Sequence, residues 1–170
     1  CIWITHRLES NISTRFVLIL KAKIYMEISK EVWEEYHTQN SVVNLSNYSL
    51  SDIKYMEMPI SQGSSVLYVG VGTGIAVKQL YEMGCVTHSL DISEAARTKV
   101  EKYSKFWLES EFENITEKFD LVIHHLVAQH LSNRQLERHL LNIFRCLNPS
   151  GILAMQYAYS LNGEELDVYE

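Results

Sequence analysis

Residues 66–75 read VLYVGVGTGI, a short apolar run that leads directly into three glycines at alternate positions. The apolar run at 66–69 predicts a buried strand, and the glycines at 70–74 predict a tight turn that a ligand can approach closely. Residues 75–83 then place their apolar side chains on one side of a predicted helix, which ends at Gly84. Strand, glycine turn and helix in this order predict a ligand site at the carboxyl end of the strand.

Strand-like and helix-like segments alternate downstream of this turn. The predicted strands are 85–90, 105–108, 119–123 and 152–157, the predicted helices begin after Ser93 and Ser132, and residues 148–151 are a predicted turn. Gln135, three residues after Ser132, completes a capping box. The alternation predicts an α/β fold, a Rossmann-like parallel sheet sandwiched by helices, over residues 61–170.

Residues 1–60 are predicted to form a separate N-terminal helical and irregular segment. A spacing of four between Ile24, Ile28, Val32 and Tyr36 predicts a helix over 24–37. The apolar residues 16–20 fit either a strand or part of a buried helix, and residues 52–58 fit a short helix before Pro59.

The composition narrows the range of partners and locations. The formal net charge is -6 and the pI is about 5.6, which argues against nucleic acid as the main partner. The apolar run at 16–20 is too short to span a bilayer, which takes about 20 residues. Three widely spaced cysteines predict free thiols, with no disulfide framework and no metal site. We therefore expect a cytoplasmic protein, and the sequence leaves its oligomeric state open.

The glycine spacing separates two kinds of nucleotide-like ligand. Dinucleotide-binding proteins use G-x-G-x-x-G, whereas the third glycine here comes one residue earlier and is followed by Ile75. The segment resembles motif I of class I S-adenosylmethionine-dependent methyltransferases. Taken alone, it also fits a glycine turn without a ligand.

Three further segments add to the resemblance. Residues 89–93, SLDIS, resemble the family's second motif. Residues 119–125, FDLVIHH, resemble its fourth motif. Residues 147–153, LNPSGIL, resemble the family's turn before the fifth strand. Asp91 can accept hydrogen bonds from both ribose hydroxyls, although it also fits a helix N-terminal charge. The resemblance implies an S-adenosylmethionine site that includes Tyr68, Gly70, Val71, Gly72, Gly74, Asp91 and Ile92.

The resemblance also implies that His124 and His125 line the site where the fourth strand ends, with His124 near the cofactor. Both are candidate bases for an acceptor that must lose a proton, because imidazole titrates near neutral pH. Their alternative role is to hydrogen-bond the backbone. After the third strand, Glu109 or Ser110 is expected near the adenine amino group, and a solvated acidic loop is the alternative.

Two departures from the family pattern stand out. Tyr68 occupies a position where many members have an acid that holds the methionine end of the cofactor, and it supplies no charge at neutral pH. The sequence after Tyr159 is too short for the family's last two strands, an antiparallel hairpin. Either these strands are missing from a fragment, or an N-terminal segment such as 16–20 covers the sheet edge.

These observations predict a methyltransferase that acts on an oxygen or nitrogen of a small molecule. A catalytically silent Rossmann-like module for binding or scaffolding is the alternative, and the glycine spacing disfavours a nicotinamide-dependent oxidoreductase. Trp33 and Tyr36 on the N-terminal helix fit either core packing or a lid over the cofactor.

Overall fold

The computed structural model describes residues 2–7, 29–39 and 60–157 of the chain. Strands and helices alternate through the last of these ranges, as the sequence predicts. The elements in chain order are β1 (Ile2–Arg7), α1 (Lys30–Gln39), β2 (Ser65–Val69), α2 (Ile75–Glu82), β3 (Val86–Asp91), α3 (Glu94–Val100), β4 (Lys105–Leu108), β5 (Phe119–His125), α4 (Asn133–Cys146) and β6 (Leu147–Tyr157). Two short 3₁₀ helices, Glu109–Asn114 and Ala128–His130, follow β4 and β5.

The sheet has the strand order β1-β6-β5-β2-β3-β4, and β2 to β6 are parallel. From β2 the chain moves outward through β3 to β4, then returns to place β5 on the other side of β2. Ligands of open parallel sheets bind where the order reverses in this way, at the carboxyl ends of the strands. The predicted Rossmann-like α/β fold is confirmed, and the switch lies at the glycine turn after β2.

The sheet edge beside β6 is covered by β1, which pairs antiparallel with it from Ile2 opposite Tyr157 to Arg7 opposite Ile152. Of the two alternatives that the sequence left open, the structure thus shows an N-terminal segment at this edge, with residues 2–7 in that place. Residues 16–20, the segment named as an example, lie outside the described residues. An antiparallel edge strand satisfies backbone groups that would otherwise be open to another chain.

Helices cover both faces of the parallel strands. Along β2, Val66 and Tyr68 belong to the core beneath α2 and α3, whereas Leu67 and Val69 belong to the core beneath α4. This alternation explains why the strand reads as a continuous apolar run, because both of its faces are buried. α1 packs against α3 and lies on the same side of the sheet as α2.

The capping box predicted for α4 is confirmed. The backbone N–H of Gln135 donates to Ser132 Oγ at 3.3 Å, and the N–H of Ser132 donates to Gln135 Oε1 at 2.7 Å. The two contacts satisfy donors that the first helical turn leaves without intrahelical partners.

Several predicted boundaries are wrong. β6 begins at Leu147 rather than 152, because residues 148–151 form a bulge opposite Asp120, where Asn148 Nδ2 donates to Asp120 Oδ1 at 2.8 Å. α3 ends at Val100 rather than 103. β5 continues two residues further than predicted, through His125.

Other predictions fall partly or wholly on residues that are not described. α1 spans Lys30–Gln39 and ends beyond the predicted helix 24–37, whose start lies outside the described residues, as does the helix predicted at 52–58. Cys85 and Cys146 are free and buried. None of the helices in the described ranges is both long enough and apolar enough to cross a membrane.

Candidate functional site

The turn after β2 uses its three glycines in different ways. Gly70, Gly72 and Gly74 all have positive φ, at 82°, 55° and 80°. A Cβ on Gly70 would lie 2.3 Å from Val127 Cγ2, and one on Gly74 would lie 3.1 Å from Val100 Cγ1. A Cβ on Gly72 would have no described atom within 4 Å. Two glycines therefore allow close packing, while Gly72 borders open space that a ligand can enter.

Asp91 ends β3 directly behind this turn and is buried, with 7% of its surface exposed. Its Oδ2 accepts the backbone N–H of Val71 at 2.7 Å, and its Oδ1 accepts that of Ser93 at 3.0 Å. Burial raises the pKa of Asp91, against the opposing effects of His37 and these two N–H donors. The carboxylate thus joins the glycine turn to the start of α3, with the partly buried Ile92 beside it.

The sequence analysis missed His37, which α1 places against this carboxylate. His37 is 4% exposed, and its Nε2 lies 3.7 Å from Asp91 Oδ1. Lys99 Nζ lies 3.0 Å from His37 Nδ1 and 3.4 Å from the carbonyl oxygen of Gly72. Because an ammonium group can only donate, Nδ1 accepts and the proton of a neutral His37 sits on Nε2, facing Asp91. Burial lowers the pKa of His37, with Asp91 opposing this effect.

Two further contacts hold α1 in place beside Asp91. The carboxylate of Glu34 accepts the backbone N–H groups of Glu94 and Ala95, both at 2.9 Å, at the start of α3. The ring of Trp33 meets the ring of His130 edge-on, with centroids 5.1 Å apart. α1 therefore bridges the start of α3 and the segment after β5, and a lid role for Trp33 and Tyr36 stays a prediction.

Tyr68 and His125 form a buried pair between the neighbouring strands β2 and β5. The hydroxyl oxygen of Tyr68 lies 2.8 Å from His125 Nδ1, and the two rings are nearly perpendicular at 88°. Tyr68 is 3% and His125 8% exposed. At the position where the family often has an acid, this chain therefore has a hydroxyl that engages a histidine of the predicted site.

The side chain of His124 does not line the site, so the prediction that it acts as a base is wrong, whereas a cofactor contact through its backbone stays a prediction. It is fully buried on the opposite face of the sheet, where its ring meets that of His139 of α4 at a centroid distance of 5.8 Å. Within the described residues, neither of its ring nitrogens has a hydrogen-bond partner. Burial lowers the pKa of His124 to about 3, so the ring is neutral near neutral pH.

Glu109 and Ser110 follow β4, as predicted, but in different environments. Glu109 Oε1 lies 3.3 Å from His139 Nε2 and 3.4 Å from an Arg138 guanidinium nitrogen. The hydrogen bond from His139, and then the Arg138 charge, hold the pKa of Glu109 below its ordinary value. Ser110 is exposed. A contact of either residue with adenine stays a prediction.

The structure brings most of the predicted site together at the carboxyl ends of three adjacent strands. The glycine turn follows β2, Asp91 ends β3, and His125 ends β5, and the backbone N–H of Gly70 donates to Leu90 O at 2.9 Å. This arrangement defines the chain as a Rossmann-like α/β protein with a candidate nucleotide-type site at the topological switch.

Comparison with known proteins identifies the family. A sequence model described as a methyltransferase domain matches residues 67–155, which is a little over half of the chain. The chain belongs to this family. None of the curated proteins matches the sequence.

Solved structures support the fold at low sequence identity. A DhpI–SAH complex has a TM-score of 0.59 at 13% identity, covering 73% of this chain and 64% of its own. A TehB-like SAM-dependent methyltransferase from Corynebacterium glutamicum has a TM-score of 0.57 at 21% identity, and the match covers 71% of this chain and 70% of that one. The [4+2]-cyclase SpnF has a TM-score of 0.60 at 16% identity, and the match covers 75% of this chain and 60% of SpnF. The chain thus spans less than two thirds of the length of DhpI and of SpnF.

Proposed function

We propose that this chain binds S-adenosylmethionine at the glycine turn and transfers its methyl group to an oxygen or nitrogen of a small molecule. The observation that carries the proposal is the open space at Gly72 beside the buried carboxylate of Asp91. A turn that a ligand can approach and an acid that accepts hydroxyl hydrogens fit an adenosyl group. Membership in the methyltransferase domain family supports the same cofactor, as do two proteins of similar fold, DhpI in complex with SAH and the TehB-like SAM-dependent methyltransferase.

In this proposal Asp91 accepts hydrogen bonds from the ribose hydroxyls, and residues 70–74 pass beneath the adenosyl group with Ile92 beside it. Glu109 or Ser110 lies near the adenine, and Tyr68 with His125 lies towards the methionine end. Asp91 accepts two backbone N–H bonds and His37 lies near it, but each carboxylate oxygen has a second lone pair. The site therefore keeps acceptor capacity for a diol.

The bound cofactor would supply a methyl group on a positively charged sulfur, which is already an activated leaving group. The chain's own task is to hold the acceptor about 3–3.5 Å from that methyl carbon and in line with the breaking bond. His125 is the member of the predicted pair that remains at the site. A small-molecule acceptor remains our default because the chain has a net charge of -6.

Calorimetry with S-adenosylmethionine and S-adenosylhomocysteine tests the cofactor proposal. Asp91→Asn replaces one acceptor oxygen by a donor, and we expect at least a tenfold loss of affinity, or about 1.4 kcal/mol. Asp120→Asn is the matched control, because Asp120 Oδ2 also accepts a backbone N–H, that of Ser65, at the amino end of β2. No binding by the wild type at millimolar ligand, or equal losses in both variants, would contradict the proposal.

A binding or scaffold module without methyl transfer is the second candidate. The Tyr68 hydroxyl engages His125 and provides no charge for the methionine end of a cofactor. A cyclase among the structural neighbours also illustrates that a fold does not fix an activity. Mass spectrometry of candidate acceptors incubated with labelled S-adenosylmethionine separates the two. Tight cofactor binding with no labelled product across amine, hydroxyl and carboxylate acceptors would favour the silent module.

A further inference from the structure

α1 brings a hydrogen-bond donor to the carboxylate that ends β3. The proton of a neutral His37 sits on Nε2, because the ammonium group of Lys99 donates to Nδ1 at 3.0 Å. His37 Nε2 lies 3.7 Å from Asp91 Oδ1, and Lys99 Nζ also lies 3.4 Å from the carbonyl oxygen of Gly72. The N–H of His37 and the carboxylate of Asp91 are therefore neighbours beside the glycine turn.

The separation of this donor from this acceptor leaves both with unused capacity. A distance of 3.7 Å is longer than a hydrogen bond, so Asp91 does not accept the N–H of His37 directly. No other atom in the described part of the chain accepts this N–H within hydrogen-bond distance. Asp91 Oδ1 accepts the backbone N–H of Ser93 and keeps a second lone pair. A ligand group can therefore bind between the two side chains.

A hydroxyl is the group that matches this pair, because one hydroxyl both donates and accepts. Its oxygen can lie about 2.8 Å from His37 Nε2 and from Asp91 Oδ1 at the same time, since those two atoms are 3.7 Å apart. The hydroxyl hydrogen then goes to the carboxylate, and the imidazole N–H goes to the hydroxyl oxygen. An anionic oxygen is repelled by the carboxylate, and an ammonium group has no lone pair for the N–H.

We propose that His37 is a cofactor-binding residue that donates from Nε2 to the ribose hydroxyl whose hydrogen Asp91 accepts. Lys99 is the positioning residue, because its ammonium group fixes the proton of His37 on Nε2. The shared hydroxyl joins α1 to the end of β3, so the site selects an adenosyl group that carries this hydroxyl. The inference rests on the proposed function, since it takes the ribose of S-adenosylmethionine as the ligand.

Calorimetry with S-adenosylhomocysteine and its 2′-deoxy and 3′-deoxy analogues tests the inference as a double-mutant cycle. The wild type should lose affinity when the shared hydroxyl is absent. His37→Phe keeps an aromatic ring beside Trp33 and Tyr36 but has no donor, so its loss on removal of that hydroxyl should be about fivefold smaller. His37→Ala should give the same reduction, so the result does not depend on how one substituted ring fits.

Glu34→Gln is the matched control, because Glu34 fastens α1 to α3 through the backbone N–H groups of Glu94 and Ala95 but belongs to neither side of the pair. This variant should weaken the binding of all three ligands by the same factor. Equal losses in His37→Phe and the wild type for each deoxy analogue would overturn the inference and leave the cofactor proposal standing, as would a wild type that binds all three ligands equally. A wild type that binds none of them would refute both.

Discussion

Replacing the glycines one at a time separates those that serve packing from the one that serves a ligand. Gly72→Ala is the critical change, because its backbone has a φ of 55° and a Cβ there meets no described atom within 4 Å. The expected cost in folding stability is only that of a left-handed alanine, about 1–2 kcal/mol. The same Cβ would project into the space that we assign to the adenosyl group.

Gly63→Ala provides the control for the backbone cost. Gly63 has a φ of 86° and open space at its Cβ position, but it precedes β2 at the opposite end of the strand from the glycine turn. Both variants should therefore lose a similar free energy of unfolding in chemical denaturation. Only Gly72→Ala should weaken binding of S-adenosylhomocysteine in calorimetry, by tenfold or more, which corresponds to about 1.4 kcal/mol.

Gly70→Ala completes the series. A Cβ there would lie 2.3 Å from Val127 Cγ2, far inside an ordinary contact, on a backbone with a φ of 82°. Left-handed strain and overpacking together should cost about 2–5 kcal/mol of unfolding free energy. Equal binding of S-adenosylhomocysteine by the Gly72→Ala and Gly63→Ala variants would refute the assignment of the open space to a ligand. A Gly70→Ala variant no less stable than Gly63→Ala would refute the packing of the turn.

Two further predictions concern stability. Because the pKa of Glu109 is lowered in the folded protein, its ionised carboxylate stabilises the folded state at pH values above 4.5, the ordinary pKa of the group. This contribution is lost as the pH falls through the lower pKa of the folded state. Glu109→Gln should thus cost about 1 kcal/mol in urea titrations at pH 7 and less below pH 4.5. Glu113→Gln is the control, since its exposed carboxylate pairs with the exposed Arg138 at 3.4 Å, and an equal pH-dependent loss there would contradict the assignment. Ser132→Ala removes the cap of α4 and should cost about 1 kcal/mol by chemical denaturation, whereas no loss would show that Gln135 alone suffices.

Much of the parallel sheet could be predicted because its signals are local. The buried strands are apolar runs, residues 70–74 predict the turn through their glycines, and Ser132 with Gln135 predicts the start of α4. β1 carries no such signal, because its place at the edge depends on pairing with β6 at the far end of the described chain. Long-range pairing of this kind leaves no local pattern that a single sequence can reveal.

The error at His124 has a similar cause. Its neighbour His125 has the same chemistry, and adjacent residues of a strand point to opposite faces of the sheet. Five consecutive residues of β5, from Leu121 to His125, are buried, so no polar and apolar alternation shows which histidine faces the site. The packing of His139 against His124 and of Tyr68 against His125 distinguishes the two.

The contacts among the predicted site residues are what the pattern could not supply. The resemblance to the family's motifs names Tyr68, Asp91 and His125, which lie on the strands around the glycine turn. Asp91, however, is also contacted by His37 of α1, and His125 is contacted by Tyr68 of β2. Each of these partners is distant in sequence from the residue that it contacts and meets it only in the folded chain. A family pattern can therefore indicate which ligand the turn accepts, whereas the contacts that hold Asp91 and His125 in place come from other elements and appear only in the folded structure.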